Sequence, residues 1–527
     1  MPLAAINTLD QAATVQGLRN IEDPRTGVNL CADNKVAVAA SWDIANGLVP
    51  LTSAAKLSLE TIAGKEGLED TKGEGKLSEA LGIINWYLET LDEYEDGVVM
   101  FVYNSQWGIN PDATEQDKLS TQTLLNCLQL LKSTTSLVVL LSPEIKLPPE
   151  LQPFVPIAEA PFPDEIELQE LVRRVFSYAD IEPTSQQVKE CAEALLGLEI
   201  FPAEQSLAMS LNCYSELGDI NYEDLWSRKA QMIEQTPGLS VYKGEASFDR
   251  IGGLDNLKQF IKRVHAGRRP PKAIIFIDEI EKAMQGSGAE GAGDSSGVSA
   301  DFLAMILTYM QDNNATGILA TGIPGMGKSE IAKAAGTEGN IPTVILDAGG
   351  MKNKYVGDSE TNHRIAFKVI SAISSGQVMF IATSNRISKL PPELRRRFTL
   401  GTWFFDSSTK SQRQAIWNVW VEHYLSKSDE DTSIEEFSGN WDFVKESKEW
   451  SGAEIRQCCD IAWQFGISLK EASSYVVPVV TSAPSMIKSL REEADNSFLS
   501  ASLPGTYKMN RLTDSPQRVQ RKPLLLT

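Results

Sequence analysis

Histidine is scarce in this 527-residue chain: there are three, His265, His363 and His423, and they stand far apart. The six cysteines, Cys31, Cys127, Cys191, Cys213, Cys458 and Cys459, form no CxxC pair. Metal-ligand spacing is therefore absent, and buried free thiols are the expected state. Cys458 and Cys459 are adjacent in a predicted helix, where neighbouring side chains point apart, so no disulfide is expected between them. Apolar runs of about eighteen residues are missing, which argues against a membrane-spanning helix. The opening "MPLAAINTLDQAATVQG" has neither the basic stretch nor the apolar run of a secretory signal, so a soluble, cytoplasmic and not secreted protein is expected. Positive charge is short as well. The formal net charge of −21 gives no diffuse positive field for nucleic acid.

What is present is the composition of a globular chain, 42% hydrophobic and 23% charged, long enough for two or three cores. Residues 1–75, rich in Ala, Gly and Thr, carry no clean period and read as a leader. From 76, the helical pattern "KLSEALGIINWYLETLDEY" precedes the apolar run "GVVMFVYN"; a second helix around "TQTLLNCLQLLKS" precedes "SLVVLLSP". Continuous apolar runs of this length are buried strands, and strand, helix, strand implies a parallel α/β layer over 76–163. The Pro-rich "LPPELQPFVPIAEAPFP" closes it, and 164–245 reads as helical segment and linker. A second α/β block covers 246–406 and a helical block 407–492. Residues 493–527 end in "GTYKMNRLTDSPQRVQRKPLLLT", with five Lys or Arg against one Asp, and read as a basic, disordered tail.

The chemistry concentrates in the second block. Gly322, Ile323, Pro324, Gly325, Met326, Gly327, Lys328 and Ser329 fill the pattern GxxxxGK[ST]. Glycines let backbone amides approach phosphate oxygens, Lys328 meets the β- and γ-phosphates, and Ser329 ligates Mg2+. The apolar "TGILAT" before it and "SEIAKAAG" after it supply the required strand and helix. Some forty residues upstream, "AIIFIDEIEKA" is a buried strand capped by acids: Asp278 is suited to the metal's water shell and Glu279 to polarising an attacking water. A third strand, "QVMFIATSN", ends in Asn385, an amide able to bond the γ-phosphate or the lytic water. Arg395, Arg396 and Arg397 follow in a row, a costly self-repulsion that an anionic partner across an interface would relieve.

Together these motifs resemble the AAA family of ATPases. "FDRIGGLDNLKQFI" is similar to the segment leading into the AAA core, which packs by the adenine and implies Ile251 and Gly252 at the base. "KYVGDSE" resembles the first pore loop, implying Tyr355, Val356 and Gly357 at a central channel. Asn385 matches sensor 1, and "SGAEIRQCCDIA" resembles the sensor-2 helix of the lid, with Arg456 available there. The resemblance covers about 245–480 and implies ATP and Mg2+ as cofactors, Pro324, Gly325, Met326, Gly327 and Glu330 around the nucleotide, and Arg396 or Arg397 as the finger reaching a neighbour's γ-phosphate. It further implies a ring, a hexamer by family habit, acting on a protein client. The first α/β layer is similar to that of AAA proteins encoded in plastid and cyanobacterial genomes, which adds a plastid stroma-like compartment as a possible location; lacking GxxxxGK[ST], it is expected to be a degenerate ATPase-like domain.

One feature departs from the family. There the acids follow the P-loop; here "IDEIEKA" precedes it, as if one strand and its helix "SADFLAMILTYMQD" had been transposed. A parallel sheet presents all strand ends at one edge, so the site depends on which strands are neighbours. The Gly- and Ser-rich "QGSGAEGAGDSSGVSAD" supplies chain to make the connection. Two functions are expected from this sequence: an ATP-hydrolysing ring, or an ATP-binding scaffold with little or no hydrolysis. Nucleic-acid remodelling draws only on the basic tail.

Overall fold

The computed structural model describes residues 2–19, 38–91, 97–111, 115–134, 136–212, 219–283, 298–347, 358–427 and 434–509. The segment "KYVG" with Tyr355, Val356 and Gly357, and the last eighteen residues of the basic tail, lie outside them. The chain divides into two compact units, one of residues 1–175 with 199–208, the other of 176–198 with 209–527. Both are α/β.

The first unit is built on strands β1 (Leu3–Asn7), β2 (Val38–Asp43), β3 (Gly47–Pro50), β4 (Val98–Val102), β5 (Leu137–Ser142) and β6 (Ile157–Glu159). They lie in the order β3-β2-β4-β5-β1-β6, parallel except for the edge strand β3. Three of the six come from the stretch that reads as a leader. "LAAIN" and "GLVP" are too short and too poor in branched residues to reveal a period: "LAAIN" is recruited by pairing with the apolar "LVVLLS", and "GLVP" by pairing with β2, which itself lies beside "VVMFV".

In the second unit a short pair, β7 (Leu211–Asn212) and β8 (Asp219–Ile220), precedes β9 (Leu239–Val241), β10 (Ala273–Ile277), β11 (Thr316–Gly322), β12 (Thr343–Leu346), β13 (Val378–Ser384), β14 (Thr402–Phe405) and β15 (Leu499–Ser500). The main sheet runs β15-β14-β11-β13-β10-β12-β9, with β9 antiparallel at its edge. Every residue of β10 and β13 is buried, as in parallel strands covered on both faces by helices. Strand β15 begins six residues into the stretch that reads as a tail. It pairs with β14 through Trp403↔Leu499 and Phe404↔Ser500, and Tyr507 beyond it is buried. A two-residue strand has no period of its own to read.

Strand by strand, the two sheets have one arrangement. β3, β2, β4, β5, β1 and β6 occupy the places of β9, β12, β10, β13, β11 and β14, antiparallel edge included. The chain visits them differently. In the first unit β1 comes before β4; in the second, β10 comes before β11, which holds the place of β1.

Between β14 and β15 the chain forms a helical subdomain around Trp417, which is fully buried among Val421, Tyr424, Trp450, Ile455 and Cys458. Cys127, Cys191, Cys458 and Cys459 are buried free thiols, and burial pushes Cys127 and Cys191 up to about 11 and Cys458 to about 12, which keeps them protonated and inert. Among the described residues no helix is long and apolar enough to cross a membrane.

Candidate functional site

The carboxyl ends of β10, β11 and β13 meet beneath the helical subdomain at a cleft of about 590 Å³. Ile251, Gly252, Asp278, Glu279, Pro324, Gly325, Met326, Gly327, Lys328, Ser329, Glu330, Asn385 and Arg456 all line it. Gly322 lies just behind, its carbonyl accepting a hydrogen bond from Lys328 Nζ at 3.0 Å, with the Ile323 carbonyl accepting another at 3.1 Å. The P-loop thus folds back on its own lysine and directs it inward. Burial draws the Lys328 ammonium down to about 8, against the opposing pull of Glu281, Asp278 and Glu279. A phosphate oxygen entering the cleft would meet a lysine already largely stripped of water.

The acids come from β10, across β13 from the P-loop strand. Ser329 Oγ donates to Asp278 Oδ1 at 3.0 Å, although the two are 51 residues apart in the chain. Thr383 Oγ1 donates to the same oxygen at 2.5 Å and accepts from the Glu279 backbone N–H at 2.8 Å. Glu279 itself takes a left-handed backbone (φ 47°), a conformation that non-glycine residues hold only when their surroundings impose it. Its Oε1 accepts from Asn385 Nδ2 at 2.9 Å, and Lys282 forms an ion pair with its other oxygen. Ser329 and Asp278 offer hard oxygen donors at an open position, the kind that suits Mg2+ when phosphates and water complete its shell. That is the fit the residues allow.

Opposite the sheet, the helix Gly452–Phe465 presents its amino end to the P-loop. Ala453 N–H donates to the Gly325 carbonyl at 3.2 Å, and Ser451 and Glu454 cap the helix reciprocally. Arg456, one turn in, lies against Trp420, its guanidinium carbon 5.0 Å from the ring centroid. Arg396 and Arg397 are not in this cleft. Arg397 donates to Gln311 Oε1 at 2.6 Å, whereas Arg396 is exposed. Reading the sequence alone misses Thr383, Glu281, Lys282 and Trp420. Thr383 is the one it could have found, a polar residue near the end of an otherwise apolar buried run.

A cleft with a P-loop, paired acids and a strand-end amide at one edge of a parallel sheet defines a P-loop nucleotide-binding α/β core. Comparison with known proteins shows what the chain is similar to. Residues 318–374, from β11 through the helix Asp358–Ser374, match the model of the "ATPase family associated with various cellular activities (AAA)". The chain is similar to the "Uncharacterized AAA domain-containing protein ycf46" of Pyropia yezoensis, 23% identical over 354 residues that cover 63% of this chain and 68% of that protein. The ycf46 protein of Gracilaria tenuistipitata var. liui is 25% identical over 375 residues, with the same coverage. A "Putative cell division cycle ATPase" of Plasmodium falciparum (isolate 3D7) matches 85 residues at 36% identity, 15% of this chain and 7% of that protein.

Proposed function

We propose that this chain is an Mg-ATP-dependent ATPase of the AAA type that assembles into a ring and remodels or threads a protein client. One observation carries the reading: Lys328, Ser329, Asp278, Glu279 and Asn385 converge on one cleft, although the acids precede the P-loop in the chain. Backbone amides of 325–329 and Lys328 would bind the β- and γ-phosphates, and Ser329 with Asp278 would hold Mg2+, which neutralises phosphate charge when bound. Glu279 would take a proton from the attacking water, and Asn385 would orient it. Arg396, exposed and outside the cleft, is the residue free to reach a neighbouring copy's γ-phosphate, Arg397 being engaged by Gln311. The ring, the client and pore contacts by Tyr355, Val356 and Gly357 rest on family resemblance.

We further read the second core as an ATPase core with one strand transposed, and the first as its degenerate counterpart in untransposed order. The shared strand arrangement supports both. In the first unit, the loop after β1 carries Asp10, whose carboxylate accepts from the Ala13 N–H at 2.9 Å and so fills with negative charge the helix end where a phosphate would sit. This reading gives one nucleotide per chain.

A specific observation favours the alternative, an ATP-binding scaffold with little hydrolysis: Glu279 is engaged by both Asn385 and Lys282. Steady-state ATPase rates of wild type and Glu279→Gln decide between them. A wild-type rate that falls at least about a hundredfold in the variant, with ATP binding kept, supports the motor. Rates that are indistinguishable and at background refute it.

A further inference from the structure

Behind the cleft, β10 and β13 are tied by two side chain to backbone bonds running in opposite senses. Thr383, on β13, accepts from the Glu279 N–H at 2.8 Å; Glu281, on the β10 side, accepts through Oε1 from the Asn385 N–H at 2.9 Å. Asn385 then returns to the β10 side by donating its carboxamide to Glu279. Glu281 is 7% exposed, and its Oε2 has no hydrogen-bond partner among the described residues. A buried carboxylate oxygen left unpaired is expensive, so its retention needs a reason beyond packing.

We propose that Glu281 is a positioning residue of the hydrolytic site: by holding the Asn385 backbone it fixes where the Asn385 carboxamide meets Glu279. This rests on the hydrolytic reading above. The lever is short. The bonded N–H and the working carboxamide belong to one residue, directly after β13 ends at Ser384, where no further sheet pairing fixes the backbone.

The test compares Glu281→Ala, Glu281→Gln and wild type as full-length chains. Loss of the acceptor should lower kcat for ATP between about ten- and a hundredfold in Glu281→Ala, the range expected when a catalytic group is displaced without loss of the substrate site, with KM within about twofold. Glutamine keeps an acceptor oxygen and should restore kcat to within about threefold of wild type. A wild-type kcat in Glu281→Ala, or a Gln variant no better than Ala, overturns the proposal. Hydrogen exchange of the peptide 378–390 gives a second readout that does not need turnover: the Asn385 amide should lose protection in the Ala variant and keep it in the Gln variant. Equal protection in all three chains also overturns it. A wild type without ATPase activity defeats the hydrolytic reading alone, and exchange still judges the bond. If Glu281→Ala yields no folded protein, Glu281→Asp, which withdraws the carboxylate by one methylene, must show the same loss of protection.

Discussion

Gly325 and Gly327 are both P-loop glycines with left-handed backbones, φ 78° and 83°, yet an added methyl group would meet very different surroundings. At Gly327 the nearest atom is Leu254 Cδ1 at 3.7 Å, ordinary contact. At Gly325 it is Ser451 Oγ at 2.7 Å, with Ala453 Cβ and Ser451 Cβ both at 3.1 Å. Ser451 cannot swing aside cheaply. It is buried, it caps the helix Gly452–Phe465, and its partner Glu454 also accepts the Val479 N–H at 2.6 Å. Gly327→Ala should therefore cost only the left-handed backbone, roughly 1–2 kcal/mol. Gly325→Ala should add the loss of a helix cap, a further 0.5–2 kcal/mol or so, because the helix end must withdraw and release the Gly325 carbonyl.

Hydrogen exchange of the full-length protein without nucleotide separates the two terms. The extra cost falls on the amino end of the helix Gly452–Phe465, so amides in its first turn should exchange about 2- to 30-fold faster in Gly325→Ala than in Gly327→Ala. Exchange elsewhere in the sheet should match between the two. If both variants leave the helix as protected as in wild type, or loosen it equally, the contact between P-loop and helix is not what constrains Gly325, and the argument fails.

Lys328→Ala should abolish nucleotide binding in equilibrium dialysis while leaving the circular dichroism spectrum intact; wild type should bind one nucleotide per chain, and a second site would contradict the degenerate reading of the first unit. Lys229 is 2% exposed, and burial draws its ammonium down to about 7 from 10.5. Because the folded pKa is the lower one, the cost of burying the charge is fully present below pH 7 and fades as pH rises toward 10.5. Lys229→Met should thus stabilise the protein by up to about 4 kcal/mol at pH 7 and below, the gain shrinking at alkaline pH in denaturant titrations. Tyr507 donates to Asp406 Oδ2 at 2.5 Å beside the Arg491 ion pair, so Tyr507→Phe should loosen the segment carrying β15 by about 1–3 kcal/mol, seen as faster limited proteolysis there.

The parts of this molecule legible in the sequence are those whose signal is local. "AIIFI", "TGILATG" and "VMFIATS" are apolar runs long enough to read as buried strands, and GxxxxGK[ST] has its strand and helix attached. What escapes depends on partners far along the chain. β1 and β15 are strands because of what they lie beside. Thr383 and Glu281 matter through bonds to residues 104 positions away, and nothing in "IATSN" or "IDEIEKA" specifies which backbone N–H either will meet. The arginine run was legible as a charge problem, but its resolution, with Arg397 turned to Gln311 and Arg396 left exposed, lies in the position of another helix.

Strand order is where the two kinds of information meet. β11 and β10 never touch as neighbours; each pairs with β13, in registers that set Thr321 beside Ser384 and Ile277 beside Ala382. Residues that follow those pairs, Gly322 and its loop, Asn385, and Asp278 with Glu279, then emerge at one edge whatever path joined the strands. Reaching that arrangement by another route changes the length of the closing loops, and loop-closure entropy grows only as the logarithm of length, so the cost is small beside that of the pairings kept. Losing the pairing of β10 with β13 would be different in kind. It would separate Asp278 from Thr383 and Ser329 together, and with them every bond that holds the acids at the P-loop.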